Sequence, residues 1–106
     1  MELTAVAVAK TSEIAKLKLK AFRVKGKQYV VVEYNGSFFC FDGICPHAEG
    51  LFAFAQVHGK YLYCSYHQAI FDVLTGKPLP GSPTDIPLKR YDVSVEEDVV
   101  YAKVPA

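Results

Sequence analysis

Two short segments of the 106-residue chain, Cys45-Pro46-His47 and Cys64-Ser65-Tyr66-His67, each join one thiol to one imidazole, with sixteen residues between them. Thiolates and neutral imidazoles are metal ligands, and ligands two or three positions apart in a tight loop can converge on one ion. Two such loops at one end of a sheet supply four ligands while the rest of the domain fixes their distance. The whole chain has only three His and three Cys, so four of those six falling into two matched pairs is poorly explained by chance.

A structural zinc site would use the same residue types, since tetrahedral N/S ligation suits zinc. Zinc sites usually pair Cys with Cys and His with His, whereas each loop here carries one of each. A two-iron cluster with unlike ligands on its irons fits the mixed pairs better. Soft thiolates suit one iron, and neutral imidazoles lower the net negative charge at the other. The remaining candidates read as ordinary residues. Cys40, in the run Phe38-Phe39-Cys40-Phe41, is expected to be a buried core thiol, and His58, beside Gly59, an exposed loop histidine. Leu51-Phe52-Ala53-Phe54 is apolar for a loop after a ligand, and is expected to pack beneath the metal, the alternative being an exposed patch that a partner touches.

The elements that must position these loops read as strands. Runs rich in Val, Tyr and Phe alternate with turn signals, and no long helical period appears. Strands are expected over Leu3–Val8, Lys18–Val24, Gln28–Glu33, Ser37–Asp42, Tyr61–Cys64, Ala69–Val73, Tyr91–Val95 and Val99–Val104. Thr11-Ser12-Glu13 starts at most one helical turn. Asn35-Gly36 is a hairpin signal, because both central residues of a type I′ turn need positive φ. His58-Gly59 and Glu97-Asp98 mark two further tips. Four prolines between Lys77 and Pro87 make that stretch an ordered loop rather than a central strand. Short strands at this spacing predict an all-β sandwich or small barrel, with residues 1–106 as a single domain.

Composition narrows the function. Hydrophobic residues make up 51% and charged residues 22%, as in a folded globular domain, and the net charge of +1 gives no bulk attraction to nucleic acid. Seven of the twelve basic residues lie within the first 27 positions, while Glu96, Glu97 and Asp98 cluster late; two solvated faces are the expected outcome. No segment reaches the roughly 20 apolar residues of a membrane span. The N-terminus lacks a basic lead, so a cytoplasmic location is expected. An odd cysteine count, with two in ligand spacing, argues against a disulfide framework.

The motif Cys45-x-His47…Cys64-x-x-His67, followed by Phe71-Asp72 and Thr75-Gly76, resembles the Rieske-type [2Fe–2S] ferredoxins, and the similarity runs from about Phe22 to Val104. The resemblance implies three small antiparallel sheets with the cluster held between two loops at one tip. It implies Cys45 and Cys64 on the inner iron, His47 and His67 on the outer one, and Pro80-Gly81-Ser82-Pro83 as a shielding third loop. Gln68 departs from the family pattern, which commonly has Gly after the second histidine. The implied role is a soluble, monomeric electron carrier without turnover of its own, passing single electrons from a reductase to an oxygenase or similar acceptor. Alternatives are a small electron-transfer subunit of a nitrite-reductase-like enzyme and a zinc-stabilised binding module.

Within that family, the respiratory branch adds a disulfide between the ligand loops and a Ser and a Tyr that hydrogen-bond the cluster sulfurs. This chain has Gly50 and Tyr66 at the cysteine positions and Ala69 and Phe71 at the hydroxyl positions. Hydroxyl donors stabilise the added charge of the reduced state, so their absence predicts a low potential and places the resemblance in the oxygenase-associated branch.

Overall fold

A computed structural model describes residues 3–43, 56–63, 69–81 and 86–105. The elements run β1 (Leu3–Lys10), α1 (Thr11–Leu17), β2 (Leu19–Val24), β3 (Lys27–Tyr34), β4 (Ser37–Asp42), β5 (Gln56–His58), β6 (Tyr61–Tyr63), β7 (Ile70–Asp72), β8 (Arg90–Tyr91), β9 (Val93–Glu96) and β10 (Val99–Pro105). The strands form three antiparallel sheets, ordered β1-β10-β9, β2-β3-β4-β8 and β5-β6-β7. The all-β expectation of three small sheets is therefore met.

The four-stranded sheet lies between two cores, and its sequence shows why. Side chains of a strand alternate between faces, and in β3 and β4 both faces are apolar. Val30, Val32 and Phe41, with Phe39 beside them, pack with Leu62, Ala69, Phe71, Val73 and Leu88. Tyr29, Val31 and Cys40, with Phe38 beside them, pack with Ile14, Tyr91, Val100, Ala102 and Val104 on the other side. The uninterrupted run Tyr29-Val30-Val31-Val32 is what a strand covered on both faces requires. Fully burying one such aliphatic or aromatic side chain stabilises the fold by about 1.5–3 kcal/mol.

Local chemistry sets the turns. Asn35 and Gly36 have φ of 54° and 84°, so the predicted type I′ hairpin forms between β3 and β4. Lys25-Gly26 and Glu97-Asp98 use the same doubly positive φ at the β2–β3 and β9–β10 tips.

Two expectations need correction. The single turn at Thr11 is a seven-residue helix to Leu17, because Ile14 is buried and Lys18, at φ 67°, closes it with an N–H bond to the Ile14 carbonyl at 2.7 Å. The single strand expected over Tyr91–Val95 breaks at Asp92. Tyr91 pairs with Cys40 in the central sheet, whereas Val93 pairs with Ala102 in the outer one, so the chain changes sheets there. A sequence with an apolar residue at every second place does not reveal which partner each half takes.

Candidate metal centre

The site is built from strand ends. In the sheet β5-β6-β7, Gln56 pairs with Tyr63 and Tyr63 with Ile70, so these three residues stand in one row. Segment 44–55 therefore returns to the sheet beside the point where segment 64–68 leaves it, and 64–68 re-enters beside both. β4 delivers segment 44–55 from the same direction. The β3–β4 turn and the β5–β6 turn adjoin one cleft of about 390 Å³, lined by Lys18, Glu33, Tyr34, Asn35, Val57 and Gly59. β4 and β6 each run away from that cleft, and their side chains Phe41 and Leu62 meet in one core. Their last residues, Asp42 and Tyr63, thus lie at the opposite end of the domain.

Cys45, His47, Cys64 and His67 all fall in these two segments and lie outside the described residues. Gly50, Tyr66, Gln68, the run Leu51–Phe54, and Ser82 and Pro83 of the proposed third loop also lie outside the described residues. Among the described residues there is no group of three or more His, Cys, Asp or Glu able to hold a metal ion. The two supports named from sequence, β4 and β6, are the strands that lead into the two segments. As a donor set, two thiols and two imidazoles following β4 and β6 in the sequence fit a two-iron cluster with unlike ligands.

The stems are held by different means. At the β6–β7 stem, Leu62, Ala69 and Phe71 are fully buried. The chain beyond is closed by Gly76, at φ 79°, whose N–H donates to the Asp72 carbonyl at 2.7 Å and whose carbonyl accepts from Leu88 N–H at 2.7 Å. At the β4 stem the groups are polar. Tyr91 donates its hydroxyl to Asp42 Oδ1 at 2.6 Å, and Lys27 Nζ donates to the Tyr91 oxygen at 3.2 Å. Burial, together with the bond to Asp42, pushes the Tyr91 hydroxyl up to about 12, so it remains a donor through the neutral range. Its bond to Lys27, with the Asp42 charge, raises the ammonium above its ordinary value despite partial burial.

The reading of Cys40 holds: it is fully buried, and burial followed by the nearby Asp42 charge raises its thiol to about 12, which keeps it a protonated core residue. His58 is exposed as expected, but it ends β5, paired with Tyr61, rather than lying in the loop, and stands edge-on to Tyr63 with ring centroids 5.2 Å apart. Sequence reasoning missed the Lys27–Tyr91–Asp42 group altogether. Its members are 64 and 49 positions apart, and no spacing rule joins them.

With this geometry in place, the protein belongs to the Rieske [2Fe-2S] family: the profile of the Rieske [2Fe-2S] domain matches residues 4–92. The group that defines this family is a [2Fe–2S] cluster, which sets aside the zinc alternative. The chain is similar to the ferredoxin component of the naphthalene 1,2-dioxygenase system of Pseudomonas putida, with 31% identity over 80% of this chain and 81% of the relative. It is 33% identical to the ferredoxin component of the p-cumate 2,3-dioxygenase system of Pseudomonas putida, over 89% of this chain and 76% of the relative. Among solved structures, the ferredoxin of carbazole 1,9a-dioxygenase from Nocardioides aromaticivorans IC177 superposes with a TM-score of 0.83 at 30% identity, over 93% of this chain and 96% of that one.

Proposed function

We propose that this protein is a one-electron carrier that accepts electrons from a reductase and delivers them to an oxygenase. Cys45 and Cys64 hold one iron of the cluster and His47 and His67 the other. What supports the reading is the mixed Cys/His set in the sequence together with the match to the Rieske [2Fe-2S] domain over residues 4–92. The oxygenase-system ferredoxins among its relatives support an oxygenase acceptor over a nitrite-reductase-like subunit. When bound, the cluster supplies a reversible one-electron couple. The chain's own residues do the rest. The thiolates and imidazoles fix the ligand field, and the apolar core around Leu62, Ala69 and Phe71 excludes water from one side of the stem.

Residues 1–106 act as one domain, in the cytoplasm. Among the described residues no helix is long and apolar enough to cross a membrane. The midpoint potential is expected in the lower part of the Rieske range of roughly −150 to +300 mV. Ala69 and Phe71 supply no hydroxyl, and both are fully buried. Redox titration tests this. Ala69→Ser with Phe71→Tyr should raise the potential by ~100 mV, from two donors at about 1–2 kcal/mol each. A wild-type potential well above zero, or no rise in the double variant, would overturn the hydroxyl argument.

A further inference from the structure

The last two described residues before segment 44–55 are gripped from both sides. Gly43 N–H donates to the Gln28 carbonyl at 2.9 Å. A Cβ on Gly43 would come within 2.8 Å of Gln28 C and Tyr29 N, both backbone atoms, so only glycine lets the chain run this close to β3. On the other side, Asp42 N–H donates to the Lys89 carbonyl at 3.2 Å. The Asp42 carboxylate accepts the Tyr91 hydroxyl at 2.6 Å and lies 3.4 Å from Lys27 Nζ. The Tyr91 ring is itself fixed, edge-on to Tyr29 at 5.2 Å.

This is more restraint than β8 needs for itself. β8 contributes only two paired residues to the sheet, yet its tyrosine reaches past the end of that pairing to the final side chain of β4. The charges are also arranged for fixity. Asp42 is partly buried, with its side chain 30% exposed, and it has a cation and a hydroxyl on the same oxygen. A charge-assisted bond of this length is directional and short. Rotation of Asp42 would break both interactions together.

We propose that Tyr91, Asp42, Lys27 and Gly43 form an anchor that fixes the direction in which the chain leaves β4, and that they are thereby positioning residues for the cluster ligands Cys45 and His47. The proposal rests on the ligand assignment above. Along the chain, Gly43 and Asp42 precede Cys45 by two and three positions and His47 by four and five. Loosening the anchor is expected to alter the iron environment far more than it alters the fold. The opposite end of the domain offers a matched control: Glu33, 8% exposed, accepts from Lys18 Nζ at 3.0 Å and from Gly36 N–H at 3.1 Å. It is a comparable polar clamp beside the β3–β4 turn.

The test uses the cluster-loaded full chain and three variants, Tyr91→Phe, Asp42→Asn and Glu33→Gln. The readouts are the EPR spectrum of the reduced protein, the midpoint potential and the rate of cluster loss under a chelator. Tyr91→Phe and Asp42→Asn should shift the EPR g values and speed cluster loss several-fold. Asp42→Asn should also raise the potential, because it removes a negative charge. Glu33→Gln should destabilise the fold while leaving all three readouts at wild-type values. Wild-type spectra and loss rates in both Tyr91→Phe and Asp42→Asn would overturn the anchor. Equal changes in Glu33→Gln would also overturn it, by showing a merely structural effect. Cys45→Ser is run alongside: if it retains a wild-type cluster, the ligand assignment fails and the anchor with it, a result distinct from failure of the anchor alone.

Discussion

The two stems that feed the metal segments solve one mechanical problem with opposite chemistry. β4 is six residues long and paired along its whole length with β3, and its exit is pinned by a lysine, a tyrosine and an aspartate. β6 and β7 are three residues each, and their exits rest on Leu62, Ala69 and Phe71, all buried without a polar atom in the side chain. Long pairing tolerates a polar exit because the ladder already supplies stability. Three-residue strands do not supply enough, and must be held by packing. The apolar stem should therefore carry stability and the polar stem geometry.

The largest effect is expected at the apolar stem. Phe71→Ala should cost about 3–5 kcal/mol in urea unfolding, because the side chain is fully buried among Val30, Phe41, Leu62 and Val73. Gly76→Ala should cost less, about 1–2 kcal/mol. It forces an L residue to φ 79° and brings its Cβ within 3.1 Å of the Leu88 carbonyl. At the polar stem, Tyr91→Phe should cost only about 1–1.5 kcal/mol, since the ring contacts survive. A Tyr91→Phe variant as unstable as Phe71→Ala would erase the distinction between the stems.

The stems also differ in their response to pH. Cys40 and Tyr91 sit on β4 and β8, and burial raises both in the folded state, from 9.0 and 10.0 to about 12. Groups raised in this way contribute stability that is complete below pH 9 and declines as pH rises toward 12. Thermal melts should therefore drop across that window, and Cys40→Ala should flatten the first part of the decline. In acid the sensitive group lies elsewhere. Burial alone would raise the Glu33 carboxyl, but the hydrogen bond from Lys18, that from Gly36 N–H and the Lys18 charge outweigh it and hold it below 4.5. Its contribution is present above pH 4.5 and lost as pH falls further. The smallest effect belongs to His58→Ala, an exposed tip residue, which should change stability by less than about 0.5 kcal/mol and leave the visible spectrum intact.

What was legible in the sequence followed from local chemistry. Asn35-Gly36 announced its hairpin because few residue pairs accept two positive φ values, and the Val-, Tyr- and Phe-rich runs announced β3 and β4 as strands. The candidate ligand set stood out because thiols and imidazoles are scarce in this chain and arrive in matched pairs. The break at Asp92 was not, because Tyr91 and Val93 look alike to a pattern of alternating apolar residues but join different sheets. The Lys27–Tyr91–Asp42 group was hidden for the same reason: it depends on β4 pairing with β8, a contact between distant parts of the chain that leaves no local trace.

The central claim is that Cys45, His47, Cys64 and His67 hold a [2Fe–2S] cluster, and iron and acid-labile sulfide analysis tests it most directly. The wild-type protein should contain about two irons and about two sulfides per chain, with both lost in His67→Ala and retained in His58→Ala. Zinc without sulfide in the wild type, or a cluster that survives His67→Ala and disappears in His58→Ala, would contradict it.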